Sequence, residues 1–250
     1  MAFSKYPPKL YTPGSTTPFK LSRSKIDFFL ECPRCFYLDR RLGVARPGIP
    51  AFTLNSAVDH LLKKEFDLLR KDGVSHALMQ KYHIDAVPFS HPQIDSWREN
   101  FTGIQYLHPA TNLLVFGAVD DLWVDSVGNL SVVDYKSTST DKEISLDDHW
   151  KQGYKIQMEV YQWLFRQNGF PVSDTGYFVF ANAGKNRPTF DGRLEFELSI
   201  LSHLGHTDWI EPALLKIKDL LDSETIPKPS DGCEYCHYSK TRLLAVSKRG

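Results

Sequence analysis

The chain has 250 residues, 42% of them hydrophobic, and its 30 acidic residues balance 30 basic ones. This suits one α/β domain with a full core and perhaps a small annex, excludes a uniformly basic protein that coats nucleic acid, and still leaves room for a locally basic groove. No run of about 18 apolar residues occurs and the leader MAFSKYPPKLYTPGSTTPF has no apolar signal core, so no membrane contact and a cytoplasmic setting are expected.

After a flexible leader over residues 1–19, a single domain is expected over 20–240, followed by a basic tail at 241–250. Lys20 to Gly43 opens with Ser22 or Ser24 as N-cap, repeats Ile26, Phe29 and Leu30 at helical spacing, restarts at Pro33 and stops at Gly43. A helix over Phe52 to Lys71 would bury Leu54, Val58, Leu61, Leu62, Phe66 and Leu69 and end at Gly73, leaving His60 one step off the stripe. Short helices follow in 74–101, then a strand at Ile104 to Leu107.

Leu113 to Ser137 reads as a hairpin that turns at Asp125 to Asn129, making a three-stranded meander with the strand before it. The polar loop Thr138 to Asp148 leads to a helix from His149 to Gln167. Strands at Thr175 to Ala181 and Leu194 to Leu198 and a helix at Ile210 to Leu221 complete the order. The fold class is α/β, a central mixed sheet flanked by helices.

Three constellations carry chemistry. Asp134 and Lys136 project from one face of a strand, roughly 6–7 Å apart along it. Asp120 and Asp121, on the other arm, point to opposite faces. Buried carboxylates cost several kcal/mol each without compensation, and a divalent cation is the natural compensation. Mg²⁺ or Mn²⁺ wants hard oxygen donors, which Asp120, Asp134 and the Tyr135 carbonyl supply, while Lys136 suits orientation of a water and charge at a phosphate. Alternation alone leaves open which of the two neighbouring acids faces the metal. A strand end reaching solvent is the plain alternative.

Gln157 and Tyr161, spaced i, i+4, share a helix face and can present an amide and a phenol to one ligand. Cys32-x-x-Cys35 and Cys233-x-x-Cys236 form paired knuckles whose four thiolates suit Zn²⁺ or an iron–sulfur cluster, a clasp between the two ends of the domain.

Together these motifs resemble the RecB-like branch of the PD-(D/E)xK nucleases, which includes CRISPR-associated exonucleases and helicase-linked nuclease domains. The resemblance runs from Leu21 to Tyr238. LSRSKIDFFLECP is similar to the opening helix, His60 to the helical histidine, Gly117-Ala-Val-Asp120 and Asp134-Tyr-Lys136 to the acidic motifs, and Gln157 with Tyr161 to the Q-x-x-x-Y helix. It selects Asp120, because the family's acid follows its glycine by three.

The resemblance implies a restriction-endonuclease-like fold. It also implies Mg²⁺ or Mn²⁺ held by His60, Asp120, Asp134 and Tyr135, with Lys136 helping to activate water and Gln157 and Tyr161 contacting DNA. The expected activity is a metal-dependent deoxyribonuclease, an exonuclease in DNA repair, recombination or CRISPR adaptation, acting on DNA that includes single strands beside helicase or adaptation proteins. Arg34, Arg40, Arg41, Lys63 and Lys64 are basic candidates for strand contact. The cysteines depart from the pattern: two and two, where iron–sulfur members usually have one and three. Resemblance leans to a cluster, spacing to zinc. A non-catalytic nucleic-acid-binding module and a metal-clasped adaptor are the rival readings.

Overall fold

Among the described residues of this computed structural model, which are 9–48, 50, 52–148 and 151–248, the chain forms eight helices and eight strands. In chain order they begin β1 (Phe19–Ser22), α1 (Arg23–Glu31), α2 (Pro33–Arg41), α3 (Thr53–Asp72), α4 (Ala77–Lys81), β2 (Ala86–Pro88), α5 (Ile94–Arg98) and β3 (Ile104–His108). They continue β4 (Leu113–Gly117), β5 (Asp121–Asp125), β6 (Leu130–Thr138), α6 (Gln152–Gln167), β7 (Thr175–Ala183), β8 (Phe196–Leu204), α7 (Ile210–Asp222) and α8 (Glu234–Ser247). His149 and Trp150, where the sequence starts the α6 helix, lie outside the described residues, as do residues 1–8 of the leader.

The chain forms two compact units. The larger comprises residues 50–106 and 116–208 and holds a five-stranded sheet in the order β2-β5-β6-β7-β8. The sheet is mixed: β6 runs parallel to β7, while the other neighbours are antiparallel. Parallel neighbours need a crossover, and α6 supplies it. Val58, Leu62 and Phe66 of α3 pack with Trp123, Val133, Tyr135, Val179 and Ala181 on one sheet face. The stripe on α3 is narrower than its sequence suggests, for Leu54 and Leu61 are exposed and Arg70 continues the buried row one turn beyond Phe66. The β5–β6 turn matches expectation: Asp125 Oδ1 accepts from the backbone of Val127 (3.0 Å) and Asn129 (2.8 Å).

The smaller unit comprises residues 9–48, 107–115 and 209–248 of those described, with α1, α2, α7 and α8. Of the leader, Tyr11 is buried and its hydroxyl donates to Asp222 (2.6 Å). The expected meander does not form. β3 and β4 join β1 in a separate three-stranded sheet, in the order β1-β4-β3, and β5 starts afresh after the Ala118–Asp120 break.

Gly103, at φ +57°, passes so close to the strand end at Gly117 that a Cβ would stand 2.2 Å from the Gly117 oxygen. Gly103→Ala should therefore cost on the order of 1–3 kcal/mol in urea denaturation. A variant as stable as the parent would show that this backbone approach has slack.

Candidate active site

Alternation along β6 sorts its motif between two layers. Tyr135 faces the α3 core, whereas Asp134 meets α6. Asp134 is fully buried; its Oδ1 accepts from Gln157 Nε2 (2.6 Å). Its Oδ2 lies against the Lys136 ammonium as an ion pair without a regularly oriented hydrogen bond. Burial drives the Asp134 pKa up to about 6, with the Asp120 charge adding and Lys136 opposing.

Asp120 sits just ahead of β5. Its Oδ1 accepts from Lys63 Nζ (2.9 Å) and its Oδ2 from the Tyr135 backbone N–H (3.0 Å). Burial would raise its pKa, but the Lys63 and Lys136 charges and that N–H outweigh it and hold the carboxyl below its usual range. Two adjacent carboxyls pushed in opposite directions suit a site where one resists and the other accepts a proton.

Asp121 faces away from this pair and is fully buried. It accepts from Arg70 Nη2 (2.5 Å), Arg98 Nη2 (3.0 Å), Tyr135 Oη (2.7 Å) and the Leu122 N–H (2.8 Å). Arg98 Nε in turn donates to the Asp120 carbonyl (2.9 Å), so the network fixes the backbone that carries Asp120. This settles by geometry which acid looks outward.

A cavity of about 390 Å³ opens here, lined among others by Asp59, Lys63, Arg98, Asp120, Lys136 and Tyr154. Lys63 Nζ bridges Asp59 Oδ2 and Asp120 Oδ1, both at 2.9 Å. Burial and the Asp120 charge raise the pKa of Asp59. Sequence reading missed Asp59, and the signal was there: it follows Asn55 by one helical turn and precedes Lys63 by another, on the face that includes Asn55, Asp59 and Lys63. His60 is exposed and is not among the residues lining the cavity.

Gln157, half-buried, and Tyr161 share a face of α6. The amide of Gln157 is engaged with Asp134 and approaches Tyr161 Oη (3.4 Å), and Tyr161 is buried. Among the basic candidates, Arg34 and Lys64 are exposed, while Arg40 pairs with Asp39, Arg41 with Glu224 and Lys63 with the two acids.

The PD-(D/E)XK nuclease superfamily model matches residues 20–241. The chain belongs to that superfamily. No relative is found among curated proteins. PD-(D/E)XK nucleases use divalent metals, and this chain carries Asp120 just ahead of β5 and the sequence Asp134-Tyr135-Lys136 on β6. Carboxylates are hard oxygen ligands of the kind such an ion takes, and the Lys63 ammonium bridges two of them, Asp59 and Asp120.

In the smaller unit the four cysteines come together as the sequence implies. One sulfur from each of Cys32, Cys35, Cys233 and Cys236 lies within 4.8 Å of the others, the only such group of potential metal ligands among the described residues. They join the N- and C-terminal segments of the chain in a group that could hold a metal.

Proposed function

We propose that this PD-(D/E)XK nuclease hydrolyses DNA phosphodiester bonds with Mg²⁺ or Mn²⁺, as an exonuclease of the RecB-like branch that serves repair, recombination or CRISPR adaptation. Asp120 and Lys136 line one cavity, with Asp134 buried behind Lys136 as its ion-pair partner, and this arrangement carries the reading. Asp120, Asp134 and the Tyr135 carbonyl would hold the ion, with Asp59 in the helical ligand position that the family resemblance assigns to His60. Bound there, the ion would polarise a phosphate oxygen and lower the pKa of a water. Lys136 orients that water, Gln157 and Tyr161 brace Asp134, and Lys63 and Arg98 supply positive charge for a phosphate. Buried thiols as metal ligands suit a reducing, cytoplasmic compartment. No helix among the described residues is long and apolar enough to cross a membrane.

Labelled single- and double-stranded DNA, linear and circular, incubated with Mg²⁺ or Mn²⁺ and then with EDTA, tests this. Linear substrate should shorten from its ends, circles should survive, and EDTA should stop the reaction. Cut circles would refute the exonuclease assignment; binding without cleavage would favour the non-catalytic module, and neither would favour the adaptor. Asp59→Ala should lower cleavage by on the order of 10²-fold while His60→Ala leaves it within a few-fold. The reverse order would return the ligand role to His60.

A further inference from the structure

Both cysteine knuckles are built alike. Cys32 is the N-cap of α2 with Cys35 in its first turn, and Cys233 is the N-cap of α8 with Cys236 in its first turn. Helix N-termini present unpaired N–H groups and a partial positive charge, and two of them converge on one set of sulfurs. The separations decide what fits between. Cys35 Sγ is 3.5 Å from Cys236 Sγ and 3.6 Å from Cys233 Sγ, and Cys32 Sγ is 3.9 Å from Cys236 Sγ. A tetrahedron with metal–sulfur bonds of about 2.3 Å has edges of about 3.8 Å. A cubane iron–sulfur cluster places an iron behind every cysteine and spreads the four sulfurs to roughly 6 Å. No pair here exceeds 4.8 Å.

We infer that the four cysteines form a mononuclear tetrahedral centre for Zn²⁺ with Arg46 as its charge partner, in place of the cluster that the family resemblance implies. Zinc is chosen over mononuclear Fe²⁺ because the same ligands bind it more tightly. Four thiolates around Zn²⁺ leave a net charge of two negatives, and three of the cysteines are buried. Arg46 answers that charge: Nη2 donates to Cys233 Sγ (3.4 Å), and Nη1 pairs with Glu31 (2.7 Å). Its guanidinium lies over the rings of Tyr235 (4.2 Å) and Phe28 (4.4 Å), which hold it against the sulfurs. An N–H donated to a ligating sulfur stabilises the thiolate and orients it, as partners beyond the ligands do in other metal sites.

The test uses the full chain purified anaerobically from medium containing both iron and zinc. Elemental analysis should find about one Zn per chain, with no acid-labile sulfide and no absorbance band near ~400 nm. Co²⁺ exchanged into the site should show the intense visible bands of a tetrahedral tetrathiolate. Arg46→Gln should weaken zinc in chelator competition by roughly ten- to a hundredfold. Iron with sulfide would overturn the centre; mononuclear iron, or no metal, would overturn the zinc assignment; and unchanged competition in Arg46→Gln would overturn the role of Arg46. Since every readout is metal content or spectrum, the result stands or falls apart from DNA cleavage.

Discussion

Asp134→Asn is expected to lose DNA cleavage by on the order of 10²–10⁴-fold while keeping the fold, because the amide retains the acceptor for Gln157 but cannot bind a divalent cation as an anion. The same change should make the metal-free protein more stable at neutral pH. Burial lifts the folded pKa of Asp134 to about 6, so the folded state favours the neutral carboxyl. The resulting contribution to stability is fully present below the unfolded value near ~4. It is lost as pH rises through about 6. Asn never ionises, so above that window the variant should gain on the order of 1–3 kcal/mol in urea denaturation without metal, and below pH ~4 the two proteins should match. Protons and the cation compete for this carboxyl, so Mn²⁺ affinity of the parent should fall as pH drops through the same window. Undiminished cleavage in Asp134→Asn, together with a parent-like stability profile, would remove Asp134 from the site.

Asp121→Ala should be the most destabilising single change near the site, by about 3–5 kcal/mol, because it leaves Arg70 and Arg98 facing a void where both found a carboxylate. Both arginine side chains are under 10% exposed, at 8% and 9%. Asp67 still reaches each of them, at 3.1 Å and 2.8 Å, but it is itself 44% exposed and screened by water. Chemical denaturation followed by tryptophan fluorescence measures the loss, since Trp123 lies in the core of the same unit. A cost below about 1 kcal/mol would mean that Asp67 suffices. Although Asp121 and Asp120 are neighbours in sequence, Asp121→Ala and Asp120→Ala should fail differently: Asp121→Ala unfolds early, whereas Asp120→Ala folds and does not cut.

Much of this was legible beforehand because hydrophobic period and turn chemistry are local. The β5–β6 hairpin, the α6 helix and the cysteine knuckles follow from residues close together in the chain. What escaped depends on partners far apart. Nothing in LLVFG says that β4 pairs with β1, since the Gly103–Gly117 approach that ends the strand is set by backbone 14 residues away in sequence. α8 reads as a basic tail because none of its described residues in the helix is buried, so no apolar stripe announces it. The choice of Asp59 over His60 at the cavity turns on the rotation of α3 about its axis, fixed by Val58, Leu62 and Phe66 packing on the sheet. Periodicity gives a stripe, not its angle to within one residue. The spacing of Gln157 and Tyr161 places them on one face, yet the acceptor of Gln157, Asp134, stands 23 positions earlier.

The smaller unit draws its chain from three separate stretches, and its cysteine pairs stand 198 residues apart from Cys35 to Cys233. During synthesis the first knuckle therefore emerges long before its counterpart, by about 10–40 s at ~5–20 residues per second. All of residues 50–208 are made in that interval, so the nuclease unit can reach its native state while the first two thiols still wait on the ribosome without their partners. On the zinc centre inferred above, metal acquisition would then be the last event of maturation, and a cell short of metal would accumulate chains folded at one unit and unfinished at the other.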